Sequence, residues 1–218
     1  MSGYIVIAVD GPAAAGKGTL ARKLAERTGL PYLDTGLLYR AVARKMLSQG
    51  IDPASSSGEQ QARMLCSADM ERDDLRTADV DRTASLVAGQ PEVRAALVDT
   101  QRRFASERGA VLDGRDIGTV IFPDATLKLY ITASPETRAY RRFLQRGGNP
   151  DAPEAEKELA TIAAGLRERD EADSSRASAP LRMAEDAVRL DTDNLDATEA
   201  LDRVLAIVQA RIPALIPV

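Results

Sequence analysis

The residues best placed for chemistry form one glycine- and alanine-rich run near the start of the chain. The run is Gly11, Pro12, Ala13, Ala14, Ala15, Gly16, Lys17, Gly18 and Thr19. It follows the apolar stretch Tyr4–Val9, a predicted buried strand, and precedes Leu20–Arg27, which has helical spacing. Strand, glycine-rich turn and helix in this order is the context of a phosphate-binding loop. Because small residues let backbone N–H groups surround a phosphate and Lys17 adds a full charge, we expect the run to bind nucleotide phosphates.

The residue after Lys17 narrows the class of phosphate-binding loop. Most such loops place serine or threonine directly after the lysine, whereas this chain has Gly18 there and Thr19 next. Gly-Lys-Gly-Thr resembles the loop of nucleoside monophosphate kinases more than that of switch GTPases or motor ATPases. The chain also lacks an Asn-Lys-x-Asp sequence, which disfavours a guanine-reading switch.

Two further polar segments follow predicted strands. Asp34–Arg40 follows a short predicted strand, and Asp113–Gly118 follows the apolar run that starts at Ala110. Because the carboxyl ends of parallel strands meet at the ligand-binding edge of an open sheet, both segments are candidates for the site. Arg40 falls early in a predicted helix, where only a nearby phosphate would favour its charge. The alternative, that the Arg40 side chain only faces solvent, is equally compatible with the local pattern.

The local pattern leaves the remaining candidates open. Asp113 suits a carboxylate near Mg²⁺ or its waters, and the alternative is a turn in which Arg115 and Asp116 form a solvated pair. If residues 169–176 are helical, Arg169, Asp173 and Arg176 share one face. The alternative for this face is a salt-bridge stripe on the surface.

Composition excludes several classes of site. The chain has no histidine, which removes Ser–His and Cys–His nucleophiles and histidine metal sites. Its single cysteine, Cys66, excludes an intrachain disulfide and indicates a reducing, cytoplasmic location. The net charge of −4 disfavours a nucleic-acid partner. No apolar run reaches the length of a membrane span, and the N-terminus leads directly into a strand, so neither a membrane anchor nor a secretion signal is expected.

The order of elements predicts an α/β fold. Short apolar strands alternate with amphipathic helices along the 218 residues, which indicates a central parallel sheet covered by helices on both faces. Residues 50–90 are polar and indicate an inserted lobe or a mobile segment. Gly147–Pro153 breaks the helical pattern and predicts a flexible flap. The apolar tail Ile212–Val218 is expected to pack on the domain.

Four segments taken together resemble bacterial cytidylate kinases, over nearly the whole chain. They are the phosphate loop Gly11–Thr19, the run Asp34-Thr-Gly-Leu-Leu-Tyr-Arg40, the block Asp113-Gly-Arg-Asp-Ile-Gly-Thr-Val-Ile-Phe-Pro-Asp124 and the run Arg169-Asp-Glu-Ala-Asp-Ser-Ser-Arg176. The family has a P-loop core with a monophosphate-binding insert and a short lid. The resemblance implies a single domain 1–218 with core segments 1–49, 91–143 and 171–218, an insert at 50–90 and a lid at 144–170.

The resemblance also implies an activity, transfer of a phosphoryl group from ATP to CMP or dCMP, by a monomer, while the apolar tail leaves a dimer as the alternative. Mg²⁺ would be bound mainly through the nucleotide phosphates. Lys17, Arg115 and Arg169 would be catalytic. The phosphate of CMP would be held by Thr35, Arg40 and Arg115. Cytosine would be read by Ser85, Arg94, Asp116 and Arg176. Arg169 and Asp173 would contact the pentose or the transferring phosphate.

One departure from the family pattern leaves alternatives open. Typical bacterial members carry a longer, strand-rich insert where this chain has only a short run between Arg72 and Thr83. A relative that cannot close, and so lacks activity, is therefore one alternative. A sugar-acid or shikimate-type P-loop kinase and a nucleotide-controlled binding module are the others.

Overall fold

The computed structural model describes residues 4–216 of the chain. The five strands are β1 (Val6–Asp10), β2 (Tyr32–Asp34), β3 (Ala110–Gly114), β4 (Leu127–Thr132) and β5 (Val188–Asp191). The helices are α1 (Lys17–Thr28), α2 (Thr35–Ser48), α3 (Glu59–Arg63), α4 (Ser67–Met70), α5 (Ala78–Val87), α6 (Pro91–Ala105), α7 (Pro135–Gln145), α8 (Ala155–Ser174) and α9 (Ala197–Arg211). Short 3₁₀ turns span Asp73–Arg76 and Pro213–Leu215, and a π-helical turn spans Ile117–Ile121.

The strands form one sheet in the order β2-β3-β1-β4-β5, and the pairings β1–β3, β1–β4 and β4–β5 are parallel. In this register Val9 lies beside Asp113, and Asp10 lies beside both Gly114 and Tyr130. The carboxyl end of β1, where the phosphate loop starts, is therefore next to the ends of β3 and β4. The prediction of a P-loop α/β fold with a central parallel sheet is confirmed.

The chain divides into two compact units, and it passes from one to the other within β2. The core unit comprises residues 4–32 and 108–216 of the described chain. Its interior joins the sheet to two helices, since Ile7 of β1 is fully buried with Leu24 of α1 and Val204 of α9. Each fully buried aliphatic side chain of this kind stabilises the fold by about 1.5–3 kcal/mol.

The C-terminal helix α9 has a defined start and a packed end. The side chain of Asp196 accepts hydrogen bonds from backbone N–H groups of the first turn, and Glu199 bonds back to the Asp196 N–H, which completes a capping box. Beyond the helix, Ile212 is buried and Ile216 packs against the same core. The predicted packed tail is confirmed for these two residues, and residues 217–218 lie outside the described chain.

The helical unit, Leu33–Glu107, has a core of its own. Val42 and Met46 of α2 are fully buried there with Val87 of α5 and Leu97 of α6. Between α2 and α6 the chain forms only short helices and a 3₁₀ turn, so the polar segment at residues 50–90 is helical and contains no strand.

Ion pairs attach two of these short elements to α2. Lys45 bonds to Asp69 of α4 at 2.7 Å, and Arg44 bonds to Asp74 of the 3₁₀ turn at 2.6 Å. Cys66, directly before α4, is exposed. Within residues 4–216, no helix is both long enough and apolar enough to cross a membrane.

Candidate active site

The phosphate loop, Gly11–Thr19, connects β1 to α1. Gly11 has a φ of +149°, and a Cβ there would lie 2.0 Å from the carbonyl oxygen of Ile131 on β4, so only glycine fits. Ala14 and Gly16 are left-handed, with φ of +60° and +84°. Left-handed residues within a tight loop turn successive backbone N–H groups toward one point, a geometry that binds anions. The backbone therefore has the form that a phosphate-binding loop requires.

The side chain of Lys17 is held at the start of α1 by two acceptors. Its Nζ lies 3.6 Å from Oδ1 of Asp113 and donates to the carbonyl oxygen of Pro12 at 3.5 Å. The second carboxylate oxygen of Asp113 accepts a hydrogen bond from the Tyr32 hydroxyl at 3.2 Å. The carboxylate at the end of β3 thus orients the lysine of the phosphate loop.

The same carboxylate explains why glycine follows Lys17. A Cβ at Gly18 would lie 2.9 Å from Oδ2 of Asp113 and 3.7 Å from the Tyr32 hydroxyl. Asp113 is only 5% exposed and is already bonded to Tyr32, so it has little freedom to move. A side chain at position 18 would displace the partner of Lys17, which gives the unusual Gly-Lys-Gly-Thr order a steric cause.

Asp10, the last residue of β1, is a buried carboxylate that the sequence analysis did not single out. Its two oxygens accept hydrogen bonds from the backbone N–H groups of Ile117 and Gly118, at 2.9 and 2.8 Å. Burial raises the pKa of Asp10 to about 6, and the negative charge of Asp116 adds to the increase, although the two backbone hydrogen bonds oppose it. Asp10 fixes the π-helical turn that follows Asp116. The available signal was a charged residue that ends an apolar strand directly before the phosphate loop.

Two arginines meet on the buried carboxylate of Asp173. Arg115 donates from Nε to Oδ2 of Asp173 at 2.9 Å, and Arg176 forms an ion pair with Oδ1. Asp173 is 2% exposed, so this group is not a solvated surface stripe. Because α8 ends at Ser174, the prediction of one helix face holds for Arg169 and Asp173 but is wrong for Arg176, which reaches Asp173 from beyond the helix.

Arg138 of α7 is a second residue that the sequence analysis missed. It is 3% exposed, and its guanidinium donates to the carbonyl oxygen of Ala13 in the phosphate loop at 3.1 Å. It also bonds to Oδ2 of Asp170 at 2.6 Å, directly after Arg169 on α8. The available signal was an arginine in the first turn of a helix, where the helix dipole disfavours a cation that has no anionic partner.

The helical unit holds the other four predicted site residues. Asp34 caps α2 by accepting a hydrogen bond from the Leu37 N–H at 3.2 Å, and Thr35, the first residue of the helix, is buried. Arg40 bonds to Asp81 at 2.9 Å. The Ser85 hydroxyl donates to the backbone carbonyl of Asp81, so Arg40 and Ser85 both bond to Asp81.

Arg94 lies in the interior of the helical unit. Its side chain donates to the carbonyl oxygen of Ala88 at 3.2 Å, and its guanidinium carbon lies 5.6 Å from the centre of the Tyr39 ring. Both contacts orient a residue that is only 6% exposed. The position of this arginine therefore depends on contacts with the end of α5 and with α2.

The structure thus distributes the predicted residues over both units. The core unit contains Gly11–Thr19, Arg115, Asp116, Arg169, Asp173 and Arg176, and the helical unit contains Thr35, Arg40, Ser85 and Arg94. Across the described residues, no group of three or more acidic or cysteine side chains is placed to hold a metal ion.

Comparison with known proteins identifies the family. A family model described as cytidylate kinase matches residues 7–210. The chain belongs to the cytidylate kinase family. A cytidylate kinase from Acidiphilium cryptum is 58% identical over 92% of this chain and 93% of its own. One from Granulibacter bethesdensis is 54% identical over 96% of this chain and 99% of its own, so the match extends over nearly the whole of these cytidylate kinases.

Solved structures share the fold of this cytidylate kinase family member at much lower identity. An uncharacterized protein from Eubacterium ventriosum superposes with a TM-score of 0.56 at 15% identity, over 95% of this chain and all of that one. A gluconokinase from Sinorhizobium meliloti gives a TM-score of 0.51 at 15% identity, over 96% and 95% of the two chains. At this identity the likeness concerns the fold alone.

Proposed function

We propose that this protein transfers the γ-phosphoryl group of ATP to CMP, and also to dCMP, forming ADP and CDP or dCDP. The observation that carries the proposal is the cluster in which Arg115 and Arg176 share the buried carboxylate of Asp173, within the unit that holds the phosphate loop. Guanidinium groups present paired donors that suit phosphate oxygens. The names of relatives at 58% and 54% identity support CMP as the acceptor.

The reaction needs no nucleophilic side chain. An oxygen of the CMP phosphate bonds to the γ-phosphorus while the bond from that phosphorus to the β–γ bridging oxygen breaks, and ADP leaves with the electron pair. The attacking oxygen is already an anion, so no base has to remove a proton from it. The protein must instead align two charged groups and offset their repulsion.

We assign the ATP phosphates to the phosphate loop and to Lys17. The left-handed Ala14 and Gly16 support this role, because they shape a backbone anion site. Mg²⁺ is proposed to bind mainly through the nucleotide phosphates, where it screens their charge. Asp113 suits an acceptor for metal-bound water, since it is anionic, buried and next to Lys17.

We assign the acceptor to the residues that the family resemblance implies. Thr35, Arg40 and Arg115 are proposed to hold the CMP phosphate, and Arg169 and Asp173 to contact the pentose or the transferring phosphate. Ser85, Arg94, Asp116 and Arg176 are proposed to read cytosine. The bond from Arg40 to Asp81 supports the proposed role of Arg40 in binding the CMP phosphate. A guanidinium already held by one anion is ordered before the phosphate arrives.

Base choice follows from donors and acceptors. Cytosine offers an amine at C4 and acceptors at O2 and N3. A carboxylate such as Asp116 accepts from the amine, and an arginine such as Arg94 donates to the ring. UMP has a carbonyl in place of the amine and would leave a buried acceptor unpaired. We therefore expect a lower kcat/KM for UMP than for CMP, and equal values would contradict this assignment of the base.

We also propose moving parts around the site. Residues 50–90 act as the monophosphate-binding insert and residues 144–170 as the lid, with core segments 1–49, 91–143 and 171–218. Closure must exclude water, since ATP would otherwise be hydrolysed. Hydrogen exchange across Gly147–Pro153 should slow when a bisubstrate analogue binds, and unchanged exchange there would exclude this segment as the lid.

A coupled assay for ADP tests the activity directly. Purified protein with ATP and Mg²⁺ is given CMP, dCMP, UMP, AMP, GMP, gluconate, shikimate or no acceptor. Fast turnover with CMP and dCMP, slower turnover with UMP and almost none without acceptor is the expected result. Equal ADP without acceptor would indicate an ATPase or switch. Turnover with gluconate or shikimate alone would indicate a sugar-acid or shikimate-type kinase.

The setting is part of the proposal. We propose a cytoplasmic monomer that acts on nucleotides and has no nucleic-acid or membrane partner. The exposed free thiol of Cys66 supports a reducing compartment. Light scattering at working concentration gives the oligomeric state, and a mass twice that of the 23.4 kDa chain would contradict the monomer.

A further inference from the structure

We infer that Arg138 and Asp170 form a positioning pair that couples the phosphate loop to the end of α8 that carries Arg169 and Asp173. The inference rests on the proposed phosphoryl transfer, because it concerns how residues assigned to that reaction are held. Neither residue of the pair is assigned to contact a substrate. Their part would be to keep the loop and the C-terminal end of α8 in one arrangement.

The guanidinium of Arg138 joins three segments of the core unit. It donates to the carbonyl oxygens of Ala133, after β4, at 3.0 Å and of Ala13, in the phosphate loop, at 3.1 Å. It bonds to Oδ2 of Asp170 on α8 at 2.6 Å. Because the planar guanidinium fixes the directions of its donors, these bonds set the positions of the segments relative to one another.

The two ends of this connection lie next to residues of the proposed site. Ala13 directly precedes Ala14, a left-handed residue with φ of +60°, so the direction of the Ala13 carbonyl depends on the shape of the loop. Asp170 directly follows Arg169. Ala139 of α7 and Leu166 of α8 pack against Ala13, and this small apolar cluster lets the three segments approach closely. A change in the loop is therefore transmitted to α8 through a short path, in which Arg138 is buried and Asp170 is partly buried.

The pair is not arranged for maximal stability. Oδ1 of Asp170 is buried and accepts no hydrogen bond from any of the residues described, and an unsatisfied buried acceptor costs stability. The helices α7 and α8 are also joined at the surface by an ion pair between Glu136 and Arg167. What Arg138 adds to that surface pair is the bond to the phosphate loop.

The surface pair Glu136–Arg167 supplies a matched control for the Arg138–Asp170 pair. Asp170→Asn keeps the shape of the side chain but removes the charge that orients Arg138. We expect kcat to fall about tenfold or more, because catalytic groups lose alignment, while KM for ATP and for CMP each change less than about threefold. Glu136→Gln removes a bond between the same two helices and should leave kcat unchanged.

A second measurement does not depend on the acceptor. In the wild-type protein, a non-hydrolysable ATP analogue should slow hydrogen exchange at residues 167–174, and in Asp170→Asn this protection should be lost. Arg138→Lys, which can replace only part of the bonding, should give an intermediate kcat. The double variant Arg138→Lys with Asp170→Asn should fall no further than Asp170→Asn, since one connection is already broken.

The results separate failure of this inference from failure of the proposed function. If the wild type does not phosphorylate CMP, the proposed function fails, and the exchange measurement still tests the coupling. If Asp170→Asn lowers the thermal midpoint but leaves both kcat and the ATP-dependent protection of α8 intact, the pair is only structural and the inference is overturned. An equal loss of kcat in Glu136→Gln would overturn it as well.

Discussion

Lys17 and Asp113 form a buried ion pair, with 3.6 Å between Nζ of the lysine and Oδ1 of the aspartate. Their residues are 8% and 5% exposed, so water screens the pair weakly. The lysine comes from the phosphate loop and the aspartate from the end of β3, two parts of the chain that the parallel pairing of β1 and β3 brings together. The cation is therefore placed before a nucleotide arrives, which lowers the cost of ordering it during binding.

Replacement of Lys17 tests the role of this cation. In Lys17→Met we expect kcat with CMP to fall about 10²–10³-fold, because the variant loses the positive charge that stabilises the transferring phosphoryl group. Asp113 keeps its bond to the Tyr32 hydroxyl, so the variant should fold. Lys23→Met, on the same helix, is the control and should keep wild-type kcat. A Lys17 variant with more than about a tenth of wild-type kcat would exclude the proposed role.

The raised pKa of Asp10 predicts a particular dependence of stability on pH. Its pKa is 3.8 in the unfolded chain and about 6 in the folded protein. Between these values the folded state binds more protons, so a rise in pH through this window lowers the free energy of unfolding by up to about 3 kcal/mol. Asp10→Asn removes the titration. The free energy of unfolding of the variant minus that of the wild type should therefore increase from pH 4 to about 6 and then level off.

Urea unfolding at several pH values measures this difference, and subtraction cancels the other carboxylates. The amide introduced by Asp10→Asn can replace only one of the two acceptors for Ile117 and Gly118, which adds a constant loss of about 1–3 kcal/mol at every pH. Lys17, Asp116 and Tyr130 interact electrostatically with Asp10. Two parallel stability curves would show that burial does not raise the pKa of Asp10.

Two glycines should respond in opposite directions to alanine. Gly11→Ala places a Cβ 2.0 Å from a backbone oxygen at a φ of +149°, so we expect failure to fold or a thermal midpoint lower by more than about 10 °C. Gly165 lies on the exposed side of α8 with open space around its Cβ position. Gly165→Ala should raise stability by about 0.5–1 kcal/mol. Thermal melting of both variants measures the two effects. A lower thermal midpoint in Gly165→Ala would contradict the open environment of that position.

Replacement of Arg40 should raise KM for the acceptor CMP and leave KM for the donor ATP unchanged. In Arg40→Met we expect KM for CMP to rise about 10–100-fold, the loss expected for one charge-assisted hydrogen bond, with KM for ATP unchanged. The control is Arg63→Met in the same unit, because Arg63 forms an exposed pair with Glu59. Steady-state kinetics with each substrate varied in turn makes the measurement. An equal rise in both KM values would exclude a specific contact with CMP.

Elements with strong local signals could be predicted from the sequence. The helix α9 is one such element, because its periodic apolar residues coincide with a capped start and a proline after the end. The phosphate loop was predictable for a similar reason, since glycine, lysine and a preceding strand all lie within one short stretch. Family membership followed from the same kind of short motifs.

The remaining structure depends on contacts between distant residues. The helices α3 and α4 have five and four residues, too short for a periodic pattern, and an ion pair from Lys45 on α2 helps to hold α4. Asp10 bonds to a residue 107 positions away, and Arg138 bonds to one 125 positions away. No local pattern contains such a pairing, so the sequence could mark these two residues as unusual but could not identify their partners.

Cys66 is a natural site for attaching a label to the protein. It is the single cysteine of the chain, and its side chain is exposed at the start of α4 in the helical unit. A thiol-reactive fluorophore would therefore attach to natural, unmutated protein at one known position. Its emission would report changes around α4 as nucleotides are added one at a time.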